Sequence, residues 1–341
     1  MTPTMLLDMT RAVGRRWRGA TPSGIDRVCD AYATHFADRA LAVIQIRGRD
    51  VVLDERGSRA LFDSLDAERG AFRRLVARLL AVQAARRLSL AHTAGAIYLN
   101  VGHSDFDLPA HWRWVQRRQL RPVHLLHDLI PVTHPDLTTA HKSGRHRGRV
   151  TRTLHHAAGI IMTTDAAASD LRDFAASLGR NLPPHVTAPI AGGRLPRPLR
   201  TPDQPDPPFV SVGTIERRKN HGLLLRCWSL LIDRLGAAVP QLVLAGSPGL
   251  GAADLEAEFR RDPRLRAHVT LTGGIDDGAL AHLIAGARAV LLPTLAEGFG
   301  LPLVEAFALG RPVLASDLPA FREVGQGVPT LLDPRDAGAW A

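Results

Sequence analysis

The tightest constraint on this chain's fold lies between Ala289 and Asp317, in A-V-L-L-P-T-L-A-E-G-F-G-L-P-L-V-E-A-F-A-L-G-R-P-V-L-A-S-D. Ala289 to Leu292 is a short apolar run suited to a strand buried on both faces. Pro293 and Thr294 end it, and Gly298 and Gly300 supply a loop whose backbone can approach a ligand closely. Pro302 falls where a first helical turn tolerates proline. Leu303, Val304, Phe307 and Ala308 then form an apolar helix face, with Gly310 as its C-cap. Pro312 to Ser316 reads as the next strand. A strand, a short loop, a helix and a second strand of this kind require a parallel sheet with a crossover.

The same stretch has a chemistry. A glycine-rich turn feeding a helix start presents N–H groups and a positive dipole end to an anion. Glu297 and Glu305, seven residues apart, are acceptor-only carboxylates suited to sugar hydroxyls. A diphosphate plus sugar hydroxyls describes a nucleotide sugar. A lone pair of glutamates at this spacing would more often be solvated surface, so the weight rests on the whole string.

The rest of the chain repeats the alternation of strand and helix. Leu6 to Met9, Ala42 to Ile46, Val51 to Leu53, Ala96 to Val101, the run from Arg121 and Gly159 to Thr163 read as strands, with a hairpin turn over Arg47 to Asp50. A glycine loop from Gly19 is expected between the first strand and the first helix. That helix starts at Ser23 or Gly24 and carries Ile25, Val28, Cys29, Tyr32 and Phe36 at helical spacing. Residues 61–90 read as one arginine-rich helix. His141 to Arg152 reads as a solvated helix start, with Arg145, Arg147 and Arg149 as candidate acceptor or membrane contacts. Residues 192–208 hold six prolines and two glycines, the composition of an exposed linker. Beyond it Phe209 to Gly213, Gln241 to Ala245 and Val269 to Thr272 are strands. The domains are therefore 1–191, a linker 192–208, and 209–341. The loop G-S-P-G-L-G from Gly246 has the wrong spacing for a dinucleotide fingerprint. Asp105-Phe106-Asp107 is a D-x-D, short enough to read as a loop or helix-cap feature in place of a metal site.

Composition narrows the partners. Residues 1–200 carry 30 Lys+Arg against 17 Asp+Glu, and residues 201–341 carry 13 against 16. A basic first half suits an anionic partner such as a membrane surface or a lipid diphosphate. Basic and aromatic residues are not interleaved as in a nucleic-acid groove, so no nucleic acid is expected. No apolar stretch approaches 18 residues, the N-terminus lacks a signal-peptide core, and two cysteines make no disulfide framework. A cytoplasmic protein, at most peripheral on the inner membrane face, is the expectation.

The string E-G-F-G-L-P-x-x-E-A followed by G-x-P-V resembles the donor-site signature of retaining glycosyltransferases of family 4, the "glycosyl transferases group 1". Its closest resemblance is to mannosyltransferases. That family has the GT-B fold, two Rossmann-like α/β domains with parallel sheets facing each other across a cleft. The resemblance is dense over 209–336 and sparse over 1–200. It implies that Glu297 touches the donor sugar, that Glu305 holds the ribose hydroxyls, and that the backbone of Gly298, Phe299, Gly300 and Leu301 meets sugar or phosphate. G-T-I-E-R-R-K-N, from Gly213, is similar to the family's diphosphate segment, which assigns Arg218 and Lys219 to the diphosphate; Arg217 replaces a frequent proline. Backbone near Gly274 and Ile275 would hold the base, and Gly24 would lie at the cleft among the donor contacts. H-D-x-x-P places His127 at the reaction centre, so His127, Arg218, Lys219 and Glu297 are the catalytic candidates.

The implied activity is metal-independent, retaining hexosyl transfer with no cofactor. GDP-mannose is the first donor, with other GDP-, UDP- and dTDP-sugars open. The acceptor would be a glycan or lipid-linked oligosaccharide of a bacterial surface polysaccharide. Two other functions stay open at this point, a nucleotide-sugar epimerase and a non-catalytic arginine-rich nucleic-acid binder. The chain stops at D-P-R-D-A-G-A-W-A, where the family begins its closing helices. Those helices are therefore expected to be absent, the chain being truncated or closed differently.

Overall fold

A computed structural model describes residues 5–20, 23–46, 48–86, 93–191, 195–196, 198 and 205–341. The chain forms two compact units. One comprises Met1–Leu129, Gly144–Thr163 and Ala167–Ile190, the other Ile130–Ser143, Thr164–Ala166 and Ala191–Ala341. Most of 192–208, along with Thr21, Pro22, Arg47 and 87–92, lies outside the described residues. So do the parts of the linker, loop, hairpin and helix readings that fall there.

The first sheet contains β1 (Met5–Asp8), β2 (Ala40–Ile46), β3 (Arg49–Val52), β4 (Ile97–Asn100), β5 (Arg121–Leu126), β6 (Gly159–Met162) and β7 (His185–Thr187). Their order is β3-β2-β1-β4-β5-β6-β7. Every pairing is parallel except the β2–β3 hairpin, in which Ile46 faces Arg49. The second sheet contains β8 (Phe209–Val212), β9 (Leu242–Ala245), β10 (Val269–Gly273), β11 (Ala289–Leu292), β12 (Val313–Ser316) and β13 (Thr330–Leu332), in the order β10-β9-β8-β11-β12-β13 and parallel throughout. Each sheet reverses direction of growth once, between β1 and β4 and between β8 and β11. Ligands of open parallel sheets collect at the carboxyl ends of strands at such a switch point.

β11 shows why the apolar run had to be a central strand. All four of its residues are buried. Val290 and Leu292 join a core with Val210, Leu303, Ala306, Val313 and Phe321. Leu291 points the other way, into a core with Leu223, Leu224, Trp228 and Trp340. A strand covered on both faces is apolar throughout instead of alternating. The helix Leu301–Ala308 covers one face and His221–Leu235 the other. Near the last residue, Trp340 is buried in this second core and donates its indole N–H to the Asp333 carbonyl at 2.9 Å.

Several expectations are corrected. A helix, Thr10–Arg18, precedes the glycine loop, so the helix Gly24–Phe36 is the second of the unit. Residues 61–90 are not one helix: Glu55–Asp63 and Arg69–Arg86 are separated near Ser64, whose hydroxyl bonds back to the Leu61 carbonyl at 2.8 Å. A side chain that serves the backbone locally competes with helix continuation. His141 to Arg152 is the body of a helix, Ala140–His156. The helix at 301 ends on Leu309, and Gly310 follows with φ 68°. The helices Pro109–Arg117, Ile130–Thr133, Ala252–Arg261, Pro319–Gly325 and Ala337–Trp340 and the edge strands β7 and β13 are additions to the pattern. The two edge strands are only three residues long, too short to show a period.

Candidate functional site

Beyond the carboxyl end of β8, residues Arg217–Lys219 form one 3-10 turn, closed by Asn220 in the left-handed region at φ 54°. Asparagine is among the few side chains that tolerate this conformation. Its amide then donates to the carbonyls of Pro293 at 3.0 Å and Pro334 at 2.9 Å. The cationic turn is thereby fixed against the loop that follows β11. Two further bonds tie the same pieces together: the Leu295 N–H donates to the Arg218 carbonyl at 2.8 Å, and Thr294 Oγ1 lies 2.9 Å from that carbonyl.

This docking brings Arg218, Lys219 and Glu297 together across about eighty residues of sequence. Lys219 Nζ lies 2.7 Å from Glu297 Oε2, and Arg218 Nη1 lies 3.2 Å from the same oxygen. Arg218 is gripped elsewhere too. Its Nη1 donates to the Ala296 carbonyl at 2.9 Å, and Glu216 Oε1 takes Nε at 3.1 Å and Nη2 at 2.9 Å. The Lys219 and Glu297 side chains are only 12% and 14% exposed, so their charges are screened little by solvent. Burial pushes the Glu297 carboxyl up, but Lys219 and Arg218 outweigh it and hold it at about 2. Burial pulls the Lys219 ammonium down, and Glu297 pushes back without cancelling it. The two directions are compatible because one carboxylate serves two cations. The expected cationic cluster is therefore locally balanced, with Glu216 and Glu297 facing Arg218 and Lys219. Two bare cations packed this closely and out of water would be costly.

Glycines shape the surrounding loops. Gly300 has φ 95°, and a Cβ on it would stand 2.6 Å from Phe321. Only glycine therefore fits at the start of the helix Leu301–Ala308, which has no side-chain cap. Phe299 is buried beside it, and Glu305 is buried within the helix at 3% exposure. The Lys219 stem lies against Gly213, and a Cβ on Gly246 would meet the Gly213 carbonyl at 1.8 Å. The G-S-P-G-L-G loop thus packs β9's exit against β8's exit. Gly274 lies against Ser247 in the same group of loops, and Ile275 packs on the core. The structure brings Gly213, Arg218, Lys219, Glu297 and the loop through Gly300 to one edge of the second sheet. Glu216, Asn220 and Thr294 complete it and carried no role in the sequence reading. Asparagine's tolerance of the left-handed region was the signal available for Asn220.

The remaining candidates lie on other elements. His127 follows β5 and is buried, with Nε2 2.8 Å from the Val101 carbonyl. Its ring stands 4.9 Å from that of His103, and burial pulls both imidazoles below the ordinary range. His127 is therefore neutral at pH 7, with Nε2 carrying the proton. Gly24 opens the helix Gly24–Phe36, where Ser23 and Asp26 form a capping box. Arg11 and Arg15 pair with Asp26 at 2.7 and 2.9 Å, so this helix start already holds a carboxylate of its own. Asp107 of the D-x-D pairs with Arg145 at 3.1 Å and Arg149 at 2.9 Å, which hold its carboxyl below the usual range against burial. Of the three arginines offered as an anionic contact, two thus face Asp107, and Arg147 stacks on Phe174 at 5.1 Å. The charge excess of the sequence is in part spent internally. Among the described residues no helix is long and apolar enough to cross a membrane.

Two sheets, parallel but for the β2–β3 hairpin, each in its own unit, define an α/β protein of GT-B type. Across 98% of the chain the fold matches sucrose-phosphate synthase from Thermosynechococcus elongatus (TM-score 0.66, 18% identity, 87% of that chain). It likewise matches Anabaena HepE, solved with UDP and glucose (TM-score 0.63, 16% identity, 86% of that chain). Residues 206–341 match the family model of the glycosyl transferases group 1. Among curated proteins, 218 residues are 27% identical to the serotype-specific mannosyltransferase WbdA of Escherichia coli, covering 59% of this chain and 26% of WbdA. In a separate match, 128 residues are 34% identical to O-antigen chain mannosyltransferase B of Escherichia coli, 38% of this chain and 33% of that protein. The phosphatidyl-myo-inositol mannosyltransferase of Mycobacterium tuberculosis is 36% identical over 133 residues, 37% of this chain and 33% of the enzyme. The matched stretches thus span about a quarter to a third of these relatives.

Proposed function

We propose that the chain is a retaining hexosyltransferase whose donor is a nucleotide sugar, GDP-mannose first. The acceptor is a surface-polysaccharide or lipid-linked glycan. The observation that carries this reading is the Arg218–Lys219–Glu297 constellation at the switch point of the second sheet. Arg218 has most of its donors engaged by Glu216, Glu297 and Ala296, so it acts as a fixed wall of charge. Lys219, a compact ammonium with three donors, supplies the contact to the diphosphate. An incoming diphosphate brings negative charge to a balanced site, and Glu297 is free to trade its cations for the hydroxyls of the donor sugar. As the bond from sugar to diphosphate breaks, charge grows on the leaving oxygen. Lys219, Arg218 and the uncapped start of the helix Leu301–Ala308 stabilise it there, without a metal in this reading. Glu305 takes the ribose hydroxyls, and backbone at Gly274 and Ile275 takes the base.

On the other unit, neutral His127 offers Nδ1 as an acceptor to a sugar hydroxyl, its Nε2 proton being committed to Val101. Of Arg145, Arg147 and Arg149 on the basic helix, Arg147 is the one not paired with Asp107, and it faces an anionic acceptor or membrane surface in this reading. The mannosyltransferase names of the relatives favour mannose over other hexoses. Calorimetry with GDP, UDP and their mannose and glucose conjugates tests the reading on wild-type protein and on Lys219→Ala. GDP should bind, and the substitution should weaken it at least about tenfold, the loss of one charge-assisted bond. Equal affinity in a folded variant removes Lys219 from the site, and the absence of any nucleotide binding overturns the function.

A further inference from the structure

The first residue of the helix behind this site has no part in the function just proposed. His221 is 2% exposed, and neither of its ring nitrogens has a hydrogen-bond partner in the protein. A buried imidazole with both nitrogens orphaned is a costly arrangement that native structures rarely leave uncompensated. His221 also lines a small pocket, together with Lys219, Glu297, Thr294, Ser211 and Phe321. The pocket offers about 10 Å³ to the centre of a water molecule, close to the ~10–15 Å³ that one buried water needs. It is too small for a sugar or a phosphate, and it is polar on the sides formed by Lys219, Glu297, Thr294 and Ser211.

We infer that this pocket is a site for one structural water, held between the Lys219 ammonium and the His221 ring, and that His221 is a positioning residue for Lys219. Lys219 has three donors, of which Glu297 takes one. The water accepts a second and donates a proton of its own to the bare nitrogen of the neutral ring. The third ammonium donor is left for a ligand. The neutral state of the ring follows from its setting: burial, with Lys219 beside it, pulls the imidazole down to about 4. The groups acting on Lys219 are Glu297 and Glu216, which favour its charge, and Arg218, which opposes it. The water adds a neutral partner to the charged form. Through it His221 would fix where the ammonium points and how firmly it keeps its proton. The water site stands on the geometry alone; its bearing on diphosphate binding rests on the function proposed above.

The chain has two lysines, Lys142 and Lys219, so lysine labelled with 13C at Cε gives two signals, with exposed Lys142 as internal reference. Lys219 should titrate below an ordinary lysine, because burial outweighs the pull of Glu297. In His221→Phe, which removes both ring nitrogens while keeping an aromatic ring, the Lys219 midpoint should fall further, by about half a pH unit or more, a threefold change in proton affinity. His221→Gln, which keeps a donor and an acceptor, should restore most of the difference. A role in packing alone predicts that Phe is the milder change and that Gln brings no rescue. An unmoved Lys219 midpoint in folded His221→Phe overturns the proposal. Should that variant fail to fold, high-resolution diffraction from nucleotide-free wild type decides. Electron density for a water within hydrogen-bond distance of both Lys219 Nζ and a His221 nitrogen is required, and its absence overturns the site. These readouts involve no nucleotide, so a failure of GDP and UDP to bind would refute the donor reading and leave the water site standing.

Discussion

Removing the negative charge of Glu297 should destabilise the second unit by an amount the geometry fixes within limits. Glu297→Gln leaves Lys219 and Arg218 close together with little solvent, and breaking a buried pair in this way costs about 3–5 kcal/mol. The glutamine oxygen still accepts one bond, so roughly 3 kcal/mol is expected at pH 7. Lys219→Met should cost less, about 1–2 kcal/mol, because Arg218 at 3.2 Å continues to face the carboxylate. The double variant should then recover part of the loss, with a coupling energy of about 1–2 kcal/mol. Urea denaturation followed by tryptophan fluorescence measures all four corners, since Trp228 and Trp340 report from the core of this unit. The pH dependence has a definite sign. Glu297 is held near 2 against 4.5 for a free glutamate, so its contribution is complete above about 4.5 and fades as pH falls towards 2. The gap between wild type and Glu297→Gln should be flat from pH 8 to about 5 and shrink below that. Additivity of the two single changes within about 0.5 kcal/mol would refute the argument. So would a gap that widens in acid.

Three other outcomes are expected. Gly300→Ala should destabilise the protein by more than about 1 kcal/mol and impair nucleotide binding, because alanine is strained at φ 95° and its Cβ meets Phe321; thermal melts with and without GDP would show this. Glu305→Gln should weaken nucleoside diphosphate and sugar nucleotide alike, whereas Glu297→Gln should weaken chiefly the sugar nucleotide and turnover. Calorimetry in which the two variants behave identically would remove that division of labour. Transfer activity should survive EDTA, and a loss reversed by magnesium would return attention to Asp105 and Asp107.

Local sequence determined the elements that carry their own period or punctuation. The run Ala289–Leu292, the glycine turn, Pro302 in the first helical turn and the next strand needed no partner to be legible, because burial on both faces leaves an unbroken apolar signature. The same holds for the helix Gly24–Phe36, whose start is written by Ser23 and Asp26. The balance of charge at the site was not legible. Glu216, Arg218, Lys219 and Glu297 meet only because β8 and β11 are neighbours in the sheet, and Asn220 locks their loops together across 73 residues. Asp107 spends the charge of Arg145 and Arg149 for the same reason, through a contact 38 to 42 residues long. His221 carried no role in the sequence reading. Only the packed structure shows that its ring enters a pocket beside Lys219, because whether a buried nitrogen finds a partner depends on side chains brought in from other strands.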